Sequence, residues 1–397
     1  MGGLYRKGFA NRVAVQQKLE DDFHQSEVVR RMRANGHRLD AGRLSLHLAR
    51  EMGFCYGVDR TVQYAYETLE QFPDARIYIT DEIIHNPQVN ERLIALGMRF
   101  LFGRYACGAR VEDLTASDVV LIPAFGAPVA EMNKLRVRGC ILVDTTCGSV
   151  LNVWKNVERY AREGITAVVH GKHQHEETRA TISRVTKYPQ GRYLVVRDIR
   201  EARIVADYIQ GGGDGAAFKG RFLNSASAGF DPDSDLERIG LANQTTMMCS
   251  ESLEIQRLLR EAMVRRYGDA EIAERLIAFD TICSATQDRQ DTLMKLLRSV
   301  RLDLVLVVGG FNSSNTGHLA ELGSEFAPTY HVENETGLLS SETIRFREPK
   351  SGAVVTSGGW LPEGRLSIGV TAGASTPDNI VGRVIERLLE IRGSSLE

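Results

Sequence analysis

Several things this sequence lacks narrow its chemistry. Its six cysteines (Cys55, Cys107, Cys140, Cys147, Cys249 and Cys283) form no Cys-x-x-Cys pair, so zinc ribbons and thioredoxin-like dithiols are unsupported. No apolar run is long enough to cross a bilayer, which argues against a membrane role. The stretch up to about Leu39 has no apolar core of the secretory kind. It mixes Glu20, Asp21, Asp22 and Glu27 among its bases, unlike an acid-poor transit peptide, so a cytoplasmic setting is expected. There is no surplus of positive charge either: 49 Lys and Arg face 51 Asp and Glu, for a net charge of −2. Nucleic acid is therefore not the expected partner. No Gly-Lys-Ser/Thr loop of the Walker type occurs, and no flavin or nicotinamide motif is visible.

What is present is a globular composition, 43% hydrophobic and 25% charged over 397 residues, with repeated strand, loop and helix patterns. Short apolar runs bounded by Gly, Pro, Asn or Ser predict buried parallel strands at 75–80, 119–123, 141–143, 166–170, 193–196, 304–308 and 366–370. Helical patterns follow at 61–71, 252–267, 287–298 and 379–391. This alternation predicts an α/β protein with mostly parallel sheets. Three segments share one design, a small or apolar approach, a Cys, then a helix: Met52–Gly57, Asp144–Ser149 and Asp280–Ala285. The helices are expected to begin near Val58, Val150 and Thr286. Ligands gather at the carboxyl ends of strands in such sheets, so three α/β modules arranged about a centre would bring three thiols together. The expected divisions are an N-terminal extension (1–44) wrapping the first module, then modules at 45–146 with Cys55, 147–281 with Cys147, and 282–397 with Cys283 near its start. The Gly-, Asp- and Ser-rich stretch 210–235 reads as a loop or insertion.

Three cysteines suit an iron–sulfur cluster better than four would, if the cluster does chemistry. A [4Fe–4S] cubane held by four thiolates usually carries electrons only. With three, one iron keeps an open position and acts as a Lewis acid on substrate oxygen. Thiolates are favoured at helix N-termini, where all three fall. Free Cys more often simply fills space, and that is the reading for Cys107, Cys140 and Cys249.

The stretch Val169–Thr178 holds His170, His173, His175, Glu176 and Glu177 after a strand. Zinc is one reading, but no distant ligand pair matches and an extended loop points His170 away from the others. A better one gives His175 to an anion and Glu177 to proton donation, since a shielded Glu can keep its proton near neutral pH. A solvated polar loop remains the plain alternative. His85, ahead of a helix at Pro87, is an anion ligand or a structural hydrogen-bonder. Two Ser-rich turns, at 309–318 and 371–377, follow strands and precede helices, where phosphate is the natural ligand. Asn243–Met247 adds hydroxyls able to relay a proton.

Together these motifs carry a resemblance. GFCYGVDR, EIIHNPQVN, DTTCGSV, HQHEET, NQTTM, TICSATQDRQ, NSSNTGHL and VTAGASTPD occur in this order between about Leu46 and Leu389. The chain resembles the hydroxymethylbutenyl diphosphate reductases, the IspH or LytB family of the non-mevalonate isoprenoid pathway, in its longer plant and cyanobacterial form. The resemblance implies a trefoil of three α/β modules around one central [4Fe–4S] cluster per chain, with Cys55, Cys147 and Cys283 as ligands. It carries His85, His175, Thr245, Ser313, Ser314, Asn315 and Ser375 to a substrate pocket and Glu177, with Thr245, to proton delivery. It implies reduction of a hydroxymethylbutenyl diphosphate to isopentenyl and dimethylallyl diphosphates, with electrons from a ferredoxin or flavodoxin. The shorter bacterial forms have a pocket His where this chain has Phe125, which cannot donate a hydrogen bond. Two rival expectations are a three-cysteine Lewis-acid dehydratase of the quinolinate synthase type, which needs no reductant, and a cluster-binding sensor without turnover.

Overall fold

Continuous apolar runs flanked by turn residues become strands, and the cysteine-led turns become helix starts. The computed structural model of the protein describes residues 3–6, 8–9, 11–278 and 281–394. Asp280, at the head of the third cysteine motif, lies outside them. Strands Thr166–His170, Tyr193–Val196 and Leu304–Val308 coincide with the expected runs. Strands Ile77–Ile79, Val119–Ile122, Ile141–Asp144 and Leu366–Ala372 differ only at their ends. Helices Tyr56–Gln71, Gly148–Arg162 and Ser284–Ser299 begin earlier than expected. The reason is local: Cys55 and Cys147 are the N-cap residues, so each helix starts directly after its sulfur.

The chain divides into two units. One comprises Met1–Leu4, Ala109–Asp118 and Ile122–Cys283, the other Tyr5–Gly108, Val119–Leu121 and Ser284–Glu397. The first unit is built on a four-stranded, wholly parallel sheet in the order Leu276–Ala278, Ile239–Asn243, Thr166–His170, Tyr193–Val196. The core strands Ile239–Asn243 and Thr166–His170 are buried at every position, as strands covered on both faces must be. Helix Cys249–Tyr267 packs on helix Ile199–Gly211 through Ile255, Leu259, Ala262, Val205 and Ile209. Strand Ile141–Asp144, which leads to Cys147, is anchored where the Ile141 amide donates to Asp118.

The second unit holds a seven-stranded sheet in the order Val354–Gly358, Thr343–Arg347, Thr329–Val332, Leu304–Val308, Leu366–Ala372, Leu44–Leu48, Arg38–Ala41. Its four central strands are parallel and its edges antiparallel. Strand Ile77–Ile79 runs parallel to both Arg99–Phe100 and Val119–Leu121 in a further ladder of this unit. Strand Leu44–Leu48 thus enters the same sheet as the segment that ends in the Thr371–Pro377 turn, and the chain then passes to Cys55. The protein is α/β with mostly parallel sheets.

From Tyr5 on, the described part of the first forty-odd residues is built into this second unit. Helix Glu27–Ala34 sinks Val28, Val29 and Met32 into a core with Val381, Ile385 and Leu388 of helix Asp378–Ile391. Phe9 stacks edge-on against Phe72, and the Phe9 amide donates to Glu67. The stretch 210–235 corrects the sequence reading. It contains helices Gly215–Arg221 and Pro232–Asp235, and Phe218, Phe222 and Phe230 are buried in the core of the first unit. Gly and Asp dominate its composition, but Asp214 serves as a helix cap and the three phenylalanines supply the burial. A second correction concerns the spare cysteines. Cys140 is buried, which pushes its thiol pKa up, but Cys107 is exposed, on the loop after the turn Gly103–Tyr105. Cys249 is half-buried at the first position of its helix.

Candidate active site

In the first unit, Cys147 caps helix Gly148–Arg162, and its amide donates to the Ala124 carbonyl at 2.8 Å. That bond draws the Pro123–Ala127 turn, with Phe125, to the cysteine. Ser149, in the first turn of the same helix, places its hydroxyl 3.5 Å from the Cys283 sulfur. Two sulfur-bearing turns far apart in sequence are thereby joined at one helix start.

His175 caps helix Glu176–Val185, its Nδ1 accepting from the Glu177 amide at 3.2 Å. An accepting Nδ1 puts the proton of the neutral ring on Nε2. Phe125 lies edge-on to this ring, centroids 6.4 Å apart, so its side chain packs rather than donates. Glu177 is 2% exposed. Its Oε1 accepts the Thr245 amide at 2.6 Å and its Oε2 the Thr245 hydroxyl at 2.9 Å. The buried Gln244 side chain fixes this pair. Its Oε1 accepts from the Lys172 amide and the Thr178 hydroxyl, and its Nε2 donates to Thr246. His170 faces elsewhere: its Nδ1 meets the Ser252 hydroxyl at 2.8 Å and its Nε2 lies 3.5 Å from Glu251. That contact holds the Glu251 carboxyl below the usual range.

In the second unit four turns meet. Cys55 caps helix Tyr56–Gln71, its sulfur accepting from the Val58 amide at 3.5 Å, and its own amide donates to Ala374 at 3.1 Å. Ala374 belongs to the turn after strand Leu366–Ala372, and its amide donates to the Asn315 side chain at 2.9 Å. Ser375 of that turn donates its hydroxyl to the His85 carbonyl at 3.1 Å. Ser313 caps helix Ser314–Ser324, its hydroxyl oxygen accepting from the Thr316 amide and hydroxyl. Ser314 and Asn315 are buried in the first turn of that helix. Gly310 runs so close to the His85 backbone that a Cβ there would sit 2.5 Å from its carbonyl oxygen. His85, Ser313, Asn315, Ser375 and Cys55 are thus held on mutually bonded turns.

Five supporting residues escaped the sequence reading. Glu82 accepts from His85 Nδ1 at 2.9 Å and from the Asn312 side-chain amide. Arg289, 4% exposed, donates to the Gly53 and Ala285 carbonyls, tying the approach to Cys55 to helix Ser284–Ser299. His331, fully buried, braces the Gly309 carbonyl at 2.9 Å. Asn312, the donor to Glu82, and Gln244 are the other two. Only Glu82 left a signal, its i,i+3 spacing from His85.

The donor set fits an iron–sulfur centre. Cys55, Cys147 and Cys283 are half-buried thiols, each directly before a helix. Backbone and hydroxyl donors already lie at two of the sulfurs, as thiolates require.

The sequence profile of the LytB protein family matches residues 46–389. The chain belongs to the LytB family. Relatives in that family include a 4-hydroxy-3-methylbut-2-enyl diphosphate reductase of Gloeobacter violaceus, 46% identical over 394 residues, which take in 98% of this chain and 93% of that protein. A protein of the same name from Thermosynechococcus vestitus is 44% identical, covering 98% of this chain and 94% of its own. Among solved structures, an (E)-4-hydroxy-3-methyl-but-2-enyl diphosphate reductase, titled the terminal enzyme of the non-mevalonate pathway, is 28% identical with a TM-score of 0.51. It covers 87% of this chain and 99% of that one. The Plasmodium falciparum E-1-hydroxy-2-methyl-but-2-enyl-4-diphosphate reductase, at 20% identity, shares the fold, with a TM-score of 0.63 over 87% of each chain.

Proposed function

We propose that this LytB-family chain reduces (E)-4-hydroxy-3-methylbut-2-enyl diphosphate to isopentenyl and dimethylallyl diphosphates, as the last step of the non-mevalonate pathway. The overall change consumes two electrons and two protons: the allylic C–O bond breaks, water leaves, and a C–H bond forms at one end of the allyl unit. The observation that carries this reading is the buried Glu177–Thr245 pair, a carboxyl and a hydroxyl 2.9 Å apart at the start of the helix that His175 caps.

Cys55, Cys147 and Cys283 would hold one [4Fe–4S] cluster, which when bound would supply electrons and a Lewis-acidic iron for the substrate hydroxyl. The protein's own groups do the rest. His85, Ser313, Ser314, Asn315 and Ser375 bind the diphosphate on three helix-leading turns, whose amides and hydroxyls favour anions. His175, with its proton on Nε2, adds a neutral donor. Glu177 delivers a proton to the leaving oxygen through the Thr245 hydroxyl, and Gln244 keeps both in register. Burial of Glu177 and Thr245 excludes bulk water from that transfer. Electrons come from a ferredoxin or flavodoxin. A reducing, cytoplasmic setting suits a chain with six cysteines, three of them proposed as cluster ligands.

The test is anaerobic purification, quantitation of iron and sulfide, and assay of the diphosphate substrate with and without a chemical reductant. Turnover to both products only with reductant is expected. Turnover without reductant would instead indicate a Lewis-acid dehydratase, and absence of turnover with a full cluster a sensor.

A further inference from the structure

The pair Glu82 and His85 carries information that the diphosphate site does not need merely to exist. Glu82 is 7% exposed. Its Oε2 receives His85 Nδ1 at 2.9 Å and the side-chain amide of Asn312, from the turn that bears Ser313. A carboxylate only accepts, so His85 Nδ1 carries hydrogen. With Nδ1 committed, only Nε2 can serve a ligand. It can donate to a phosphate oxygen only when the ring is doubly protonated. An adjacent buried carboxylate favours that charged ring, and the Asn312 amide that also donates to Glu82 is neutral.

We infer that Glu82 is a positioning residue that makes His85 a cationic Nε2–H donor to the substrate's diphosphate and locks the His85 turn to the Ser313 turn through Asn312. Glu82 itself touches no substrate and acts through the ring. The inference rests on the reading of His85 as a diphosphate ligand.

The experiment is a double-mutant cycle on the anaerobically purified, cluster-loaded enzyme, with Glu82→Gln, His85→Gln and the double variant. Readouts are iron content, kcat, KM for the diphosphate substrate and Ki for inorganic diphosphate. Glu82→Gln is expected to keep its iron, to raise KM and Ki about tenfold, as loss of a charge-assisted contact does, and to change kcat about twofold at most. In the His85→Gln background the same substitution is expected to do nothing further. An equal, additive rise in that background, or no rise in the single variant, overturns the inference while leaving His85 as a ligand. Unchanged KM and Ki in His85→Gln overturns the ligand reading, and the inference with it. Should Glu82→Gln fail to fold, the cycle is run with Glu82→Asp, whose shorter arm must also lose its effect once His85 is gone.

Discussion

Replacing one oxygen of Glu177 by nitrogen changes its chemistry while hardly changing its shape. The Gln carbonyl still accepts the Thr245 amide, and the new NH₂ can donate to the Thr245 hydroxyl, which accepts as readily as it donates. Glu177→Gln is therefore expected to fold, to carry a full complement of iron, and to lose about 10²–10⁴ in kcat, the usual worth of general acid catalysis. Steady-state rates under excess reductant, beside iron quantitation, check this, and full activity in the variant would remove Glu177 from the acid role. His175 and Glu177 are legible in the sequence because they crowd into one strand-end loop. Gln244 and Asn312 are not, because each works by joining segments distant in the chain, and a lone amide has no local pattern.

Among elements, the strongest local signals are the cysteine-led helix starts and the continuous apolar strands. The sequence is weakest where burial is bought by a few side chains in polar company. Helix Gly215–Arg221 hid behind Gly and Asp, and its exit residue Phe222 is 1% exposed, with its ring centroid 4.7 Å from that of Phe218. Phe222→Ala is expected to destabilise the protein by about 3–5 kcal/mol, seen as a lowered urea midpoint of the first unit. The strand Thr329–Val332 hides a different feature. Burial pushes the His331 pKa down from 6.5 to about 4. The unfolded chain therefore takes up a proton between about pH 6.5 and pH 4 where the folded chain does not. Stability is full above about pH 6.5 and falls as pH drops toward 4. His331→Gln is expected to narrow the difference between urea midpoints measured at pH 7.5 and pH 5, relative to the unsubstituted protein.

The whole molecule raises the question of what the metal centre contributes to the fold. Small metallo-domains often unfold without their metal, because the unliganded chain lacks a sufficient core. Here each unit has its own. Leu306, Ile368 and Val370 lie in the core of the second unit and Val168, Leu194 and Ile239 in that of the first, all fully or almost fully buried. The cysteines lie at half-buried helix starts outside those cores, and their turns are also held by bonds that need no metal, such as Cys147 to Ala124 and Arg289 to Gly53. Removing iron with a chelator is therefore expected to abolish visible absorption and activity while leaving far-UV circular dichroism and cooperative urea unfolding largely intact. Reconstitution with iron and sulfide under a reducing atmosphere should then restore both lost properties. Loss of cooperative unfolding along with the iron would mean that the sulfur-bearing turns, and not the sheets, organise the protein.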